Sequence, residues 1–215
     1  MGARSRYRLF AAQRYFELGI GPKVGERVGQ KGWSVEAYAD ALPKPCLDCV
    51  AVAEASHAGP ATGLFHYFLF EPRAGLVALC EAGNIAYGGN DTTFVPYNNV
   101  PVEGARWSLF HSGGMYLNKL PRDARAEIVQ AKDIPASAID GVCARLHCPD
   151  VVTDLKDNPA GRAMDLGGSV HAAIPDSSAC LSVWEGQAVL FWHWGDYSYP
   201  QYGGAFRREC GHLAR

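Results

Sequence analysis

The order of the periodic segments along the chain is the feature that most constrains its fold. Apolar residues recur at three- and four-residue intervals from Leu9 to Leu18 and from Ser34 to Leu42, which predicts amphipathic helices. Another helix is predicted from Cys46 to Ala58. From Leu64 to Phe70 the chain is rich in aromatic residues and is stopped by Pro72, which is typical of a buried strand. Because helical patterns come first and strand patterns follow, we expect an α+β fold with a mixed or antiparallel sheet.

Strand patterns continue through the second half of the chain. Short strands are predicted near Ile128 to Ala131, Ala138 to Arg145 and Ser169 to Ile174. Alternation on both sides of Glu185-Gly186 predicts a hairpin from Ala179 to Trp194. The 215 residues suffice for one sizeable domain. We expect a core over about residues 5–145 and a β-rich, aromatic extension over about 146–215.

The composition and the net charge are those of an ordinary folded globular protein. Apolar residues make up 48% of the chain and charged residues 20%, and the formal net charge is −2. This charge gives no reason to expect a nucleic acid or an anionic membrane as partner. No apolar run approaches the length needed to span a bilayer.

The seven cysteines indicate an oxidising compartment, although no signal sequence follows the basic residues 1–8. The local spacing of Cys46 with Cys49, Cys143 with Cys148, and Cys180 with Cys210 predicts two or three disulfides, which leaves a thiol such as Cys80. A secreted protein is therefore expected, with a cytoplasmic one as the alternative. A zinc site built from Cys46-x-x-Cys49, Cys143 and either His147 or Cys148 is the competing explanation.

The segment from Asp123 to Gly141 carries the most specific functional signal. It places Glu127 before a short apolar run, then an Ile134-Pro135 step, and then Ile139-Asp140-Gly141. This order resembles the catalytic-glutamate segment of the mono-ADP-ribosyltransferase toxins of the cholera, pertussis and scabin type. The resemblance implies an ADP-ribosyltransferase-like fold and a secreted toxin or effector. Such a protein cleaves the nicotinamide–ribose bond of NAD and passes ADP-ribose to a macromolecular acceptor, here expected to be a protein, or to water.

The same resemblance implies roles for further residues. Glu127 would stabilise the oxocarbenium-like transition state. Ser34 would orient the Glu127 carboxylate, although Ser34 also suits the N-cap of the following helix. Arg6, or alternatively Arg8, would bind the cofactor phosphates. Arg125 stands where the family carries glutamate or glutamine, which implies either a different acceptor or a fold that has lost the reaction. This chemistry needs no metal ion.

A Cys/His hydrolase is one alternative function. Cys46 or Cys49 at the start of a helix would be the nucleophile, and His111 or His171 on a later strand would be the base.

A non-catalytic, disulfide-stapled binding or effector domain on a degenerate transferase fold is the other alternative. Aromatic residues crowd the carboxy-terminal region and would form its binding surface. They are Trp184, Phe191, Trp192, Trp194, Tyr197, Tyr199 and Tyr202. Of these, the stretch from Tyr197 to Tyr202 is expected to be exposed.

Overall fold

The structure is a computed structural model that describes residues 2–57, 65–97, 104–158 and 161–209. Ala58, Leu64 and Cys210, for which predictions were made above, lie outside these ranges. The described residues form helices together with mixed and antiparallel sheets, so the α+β prediction is confirmed. None of the described helices combines the length and the apolar character that crossing a membrane requires.

Four helices form the amino-terminal part, of which α1, α3 and α4 were predicted and α2 was not. They are α1 (Ala3–Glu17), α2 (Ile20–Arg27), α3 (Val35–Ala41) and α4 (Leu47–His57). Helix α1 packs against α2 and α3, and its Ala12 and Tyr15 are fully buried. Gly19, with a φ of +70°, separates α1 from α2 in a left-handed conformation that glycine adopts without strain.

The first sheet is antiparallel and has the strand order β1-β4-β11-β5. Its strands are β1 (Phe65–Phe70), β4 (Arg106–His111), β5 (Ile134–Pro135) and β11 (Phe206–Arg208). Strand β1 confirms the predicted aromatic strand over its described residues. Since β11 comes from the carboxy-terminal extension, strands from both sides of residue 145 share this sheet.

The second sheet is mixed and has the order β10-β6-β8-β9-β2. Its strands are β2 (Ile85–Ala86), β6 (Ala163–Leu166), β8 (Ser177–Trp184), β9 (Gln187–Trp194) and β10 (Tyr202–Gly204). Strands β8 and β9 form the predicted hairpin, which turns at Glu185-Gly186. A separate two-stranded pair joins β3 (Phe94–Pro96) to β7 (Ser169–His171), so the strand predicted over 169–174 is shorter than expected.

The predictions of strands near Ile128 to Ala131 and over Ala138 to Arg145 are wrong. The first falls at the end of α6 (Pro121–Gln130), and the second lies within α7 (Ala138–His147). In α6 the proline stands at the first helical turn, where its missing N–H costs no hydrogen bond. Helix α7 begins with a capping box, in which Ser137 and Asp140 satisfy each other's backbone N–H groups. These helix-start signals outweigh the short apolar alternation from which the strands were inferred.

The remaining α-helix of the described residues, α5 (Leu76–Ala82), precedes α6 in the chain. Helix α7 packs between the two larger sheets. It contacts β1 of the first sheet and β6 and β8 of the second, and its Val142 and Cys143 are fully buried. Gly141 allows the close approach to β6, because a Cβ atom there would lie 2.6 Å from a methyl carbon of Leu166. The core of the molecule is therefore centred on this helix.

A buried charge network fixes the amino-terminal end of α7. The Asp140 side chain is fully buried and accepts hydrogen bonds from the backbone N–H and the hydroxyl of Ser137. It forms ion pairs with Arg106 of β4 and with Arg207 of β11, whose Nε lies 3.4 Å from Oδ2. One carboxylate thereby joins the central helix to two strands of the first sheet.

Candidate functional site

Glu127, the predicted catalytic residue, lies on the exposed face of α6 rather than at the start of a strand. Both of its carboxylate oxygens accept hydrogen bonds from the ammonium group of Lys119. Helix α6 packs on β5 and β10, whereas Ser34 and Arg6 belong to the α1–α3 region. The structure therefore does not bring Glu127 together with Ser34 or Arg6, and only Arg125 of the predicted site shares its helix.

Replacing Glu127 by glutamine is expected to change the free energy of unfolding by less than about 1 kcal/mol, because exposed ion pairs contribute little. Urea denaturation of the variant and of Lys119→Met, which removes the other partner, measures this effect. A loss above about 2 kcal/mol would contradict the description of this pair as a surface interaction.

The remaining residues taken from the resemblance have structural partners or lie in solvent. Ser34 is the N-cap of α3, and its hydroxyl accepts a hydrogen bond from the backbone N–H of Ala37 at 3.2 Å. Arg8 joins α1 to α3 by donating to the Ala39 carbonyl oxygen at 2.7 Å and to Asp40 at 3.1 Å. Arg6 is exposed on α1. Arg125 differs from these residues because it is buried and lines a cavity, which is described below.

The predicted number of disulfides is wrong, because five of the seven cysteines are free thiols. They are Cys46, Cys80, Cys143, Cys148 and Cys180. Cys49 is disulfide-bonded, so it is not available as the nucleophile of a hydrolase. The predicted zinc site that includes Cys49 loses a ligand for the same reason.

The predicted bases are positioned on separate strands. The Nδ1 atom of His111 accepts a hydrogen bond from the Gly113 backbone N–H at 3.0 Å, and that of His171 accepts one from Ala173 at 3.2 Å. His111 lines a cavity of about 300 Å³ whose cysteine is Cys148 rather than Cys46. The other polar side chains around this cavity are His66, Ser112, Asp150 and Arg162.

The second sheet brings together three potential metal ligands from three adjacent strands. Asp165 on β6 lies directly opposite Cys180 on β8, and His193 on β9 lies two residues beyond the partner of Cys180. Because side chains at alternate positions share a face of a sheet, these three point to the same side. Their ligand atoms all lie within 4.8 Å of one another.

The three side chains meet at one oxygen atom. The Cys180 thiol donates to Oδ1 of Asp165 at 3.0 Å, and Nε2 of His193 lies 2.6 Å from the same oxygen. Within the described residues, Oδ2 of Asp165 and Nδ1 of His193 have no hydrogen-bond partner although both are buried. Only 2% of the Asp165 side chain and 10% of the His193 side chain are exposed. Burial, reinforced by Asp165, raises the pKa of Cys180.

Tyrosine rings cover this cluster on the side that faces away from the main core. The opposite face of the sheet carries core residues such as Leu181 and Leu190, whereas Cys180 packs with Tyr202 in a separate small cluster. The rings of Tyr199 and Tyr202 stand edge-on to His193, with centroids 6.1 and 5.7 Å away. Tyr197 and Tyr199 are exposed, as predicted for this stretch, but Tyr202 is buried.

The donor set matches the preferences of zinc. Thiolate, imidazole and carboxylate groups are its usual ligands, and sites with three protein ligands leave a fourth position for water. Ligand atoms bound to zinc at tetrahedral angles lie roughly 3.3–3.7 Å apart. The 2.6 and 3.0 Å separations found here would need to widen by less than about 1 Å to admit an ion.

Reasoning from the sequence missed this cluster because its members are separated along the chain. Cys180 was assigned to a disulfide, and Asp165 and His193 were not singled out. The available signals were the hairpin alternation, which places Cys180 and His193 on one face, and a lone acid in the apolar run Met164-Asp165-Leu166. The pairing of β6 with β8 brings Asp165 next to Cys180, and the sequence pattern does not reveal this pairing.

Comparison of the chain with known protein families, with characterised proteins and with solved structures finds no match.

Proposed function

We propose that this protein binds a zinc ion through Asp165, Cys180 and His193 and uses it for hydrolysis. The observation that carries the proposal is the convergence of a thiol, an imidazole and a carboxylate within 4.8 Å in a buried position. A buried carboxylate with an oxygen lacking a hydrogen bond is energetically costly. A divalent cation bound at this point would compensate the charges of both Asp165 and the Cys180 thiolate.

Hydrolysis is the activity that such a donor set favours. A zinc ion held by these three ligands would keep a fourth position for water and would lower the pKa of that water to about 7, which would supply hydroxide at neutral pH. The cavity of about 300 Å³ reaches the same strand at Ala163, two residues before Asp165 on the same face. Its histidines, His66 and His111, and Arg162 at its edge offer hydrogen-bond donors to a bound substrate.

Zinc reconstitution tests this proposal. The protein is stripped with a chelator and reloaded with one equivalent of zinc. Hydrolysis of p-nitrophenyl acetate and p-nitrophenyl phosphate is then measured, with bound zinc determined in the same samples. We expect zinc to raise at least one rate by about 100-fold or more, equivalent to roughly 2.7 kcal/mol in the barrier.

The matched variants are His193→Gln, which removes a ligand, and His57→Gln at the end of α4. The first should lose both the bound zinc and the rate increase, and the second should keep both. Stoichiometric zinc without any rate increase would refute hydrolysis of these ester classes while leaving metal binding intact. Failure to retain zinc would refute the whole proposal.

NAD cleavage by a transferase-like mechanism is a second proposal, supported by the resemblance of the 123–141 segment. The structural observation in its favour is that Arg125 lies in a cavity beside the Tyr97 ring, where a guanidinium could hold a pyrophosphate. Nicotinamide release that falls at least about 100-fold in Glu127→Gln would support it. Absence of release in a correctly folded protein would favour the zinc-dependent function.

A cysteine hydrolase is a third proposal, favoured by the presence of Cys148, His66 and His111 around one cavity. Burial raises the pKa of Cys148 despite the opposing backbone N–H groups of Asp150 and Val151. A protonated thiol is a poor nucleophile, so the neighbouring histidines would need to activate it. Hydrolysis that persists in the metal-free protein, is abolished by iodoacetamide and is lost in Cys148→Ser would distinguish this mechanism from the zinc-dependent one.

A further inference from the structure

Arg125 is a buried cation that lacks an ion pair within the described part of the chain. Only 7% of the residue is exposed. Its Nη2 donates to the carbonyl oxygen of Ser177 at 3.2 Å, and its guanidinium lies 3.8 Å above the centre of the Tyr97 ring. Its Nε has no hydrogen-bond partner among the described residues. Burial of a charge without a carboxylate at ion-pair distance is unfavourable, and Asp165 and Asp176 act on this charge only from farther away, so a bound anion would stabilise it.

The guanidinium borders a cavity of about 400 Å³ at the amino-terminal end of α6. Arg122, Asp176, Trp194 and Asp196 also line it. The backbone N–H groups of the first turn of α6 are already bonded, since Arg122 donates to the Gly195 carbonyl oxygen at 3.3 Å and Asp123 to that of Leu120 at 2.9 Å. The cavity therefore offers a ligand two arginine side chains and two aromatic rings.

This cavity is distinct from the proposed zinc site. Trp194 and His193 are consecutive on β9, so their side chains point to opposite faces of the sheet. The cavity opens on the face of Trp194, whereas the zinc ligands share the face of His193.

Two carboxylates in the lining restrict the chemistry of the ligand. Asp176 and Asp196 are exposed, so solvent screens their repulsion of an anion more strongly than it screens the attraction of buried Arg125. Carboxylates accept hydrogen bonds from hydroxyl or ammonium groups. The rings of Tyr97 and Trp194 offer flat apolar surfaces to the rest of the ligand.

We propose that this cavity binds a small molecule through an oxyanion, a phosphate or a carboxylate, that is held by Arg125 with Arg122 at the entrance. Hydroxyl or amino groups of the same molecule would be held by Asp176 and Asp196. Arg125 lines the cavity, and a planar guanidinium can form the paired hydrogen bonds that these oxyanions accept.

Titration with inorganic phosphate, pyrophosphate and citrate tests the proposal and distinguishes phosphate from carboxylate recognition. Binding is followed by the fluorescence of Trp194, at an ionic strength held constant with sodium chloride. We expect at least one of these anions to change the fluorescence saturably and to raise the melting temperature. The fluorescence change should be absent in Trp194→Phe, whereas the rise in melting temperature should remain.

Arginine variants identify the binding group. We expect Arg125→Gln to weaken binding at least tenfold and Arg125→Lys to restore only part of it, because lysine lacks the planar fork. Should Arg125→Gln fail to fold, the exposed Arg122→Gln serves instead, with an expected loss of about threefold in affinity. Arg4→Gln, which changes an exposed arginine on α1, should bind as the unchanged protein does. The proposal would be overturned if the Arg125 and Arg122 variants bound the anions as tightly as the unchanged protein does. It would also be overturned if none of the three anions bound saturably.

Discussion

Replacing Cys180 by serine is expected to lower the affinity for zinc by at least about 100-fold, because a direct ligand is lost. Loss of an outer-shell partner alone typically lowers the affinity by about 10- to 100-fold, so loss of a ligand should lower it at least as much. A thiolate is the soft ligand of the set, and a serine hydroxyl is not deprotonated at neutral pH to replace it. The substitution preserves the size of the side chain and its hydrogen bond to Asp165, which keeps the fold intact. Competition with a chromogenic chelator measures the affinity directly.

The control for this variant is Cys46→Ser, which changes another free thiol away from the cluster. It should bind zinc as tightly as the unchanged protein does. A Cys180→Ser affinity within threefold of the unchanged protein would exclude Cys180 as a ligand.

Replacing Asp140 by alanine should lower the free energy of unfolding by about 3–5 kcal/mol, the usual effect of removing one partner from a buried ion pair. The change leaves Arg106 and the fully buried side chain of Arg207 without their shared carboxylate. It also removes the side-chain half of the capping box at Ser137. Urea denaturation followed by circular dichroism at neutral pH gives the value.

Asp123→Ala is the matched control, because Asp123 also stands in the first turn of a helix but is exposed. Its loss should cost less than about 1 kcal/mol. A change below about 1 kcal/mol for Asp140→Ala would show that the two arginines do not depend on this carboxylate.

The sequence predicted those parts of the fold that local signals specify. The β8–β9 hairpin is the clearest case, since Glu185 and Gly186 both adopt positive φ, as a tight two-residue hairpin turn requires. The helices α1, α3 and α4 followed from apolar periodicity alone. Where two local signals competed, as at Ser137 to Arg145, the capping box decided the structure and the apolar alternation misled.

The candidate site could not be predicted in the same way because it depends on pairing between distant segments. Asp165 meets Cys180 only through the register of β6 with β8, and Arg125 reaches its cavity only because α6 packs near Gly195 and Trp194. Loop closure and strand register are set by the whole core, not by the residues that form the site. For the same reason, Glu127 looked catalytic in a short sequence comparison, although the structure places it on a solvent-exposed helix face.

Titration of the metal-free protein with cobalt(II), followed by absorption spectroscopy, tests zinc binding by Asp165, Cys180 and His193 most directly. Cobalt(II) takes the place of zinc and reports both thiolate coordination and geometry. We expect a thiolate-to-cobalt charge-transfer band and intense visible bands typical of a four-coordinate ion, saturating at one equivalent and lost on addition of zinc. No thiolate charge-transfer band, or one that persists unchanged in Cys180→Ser, would contradict the proposed site.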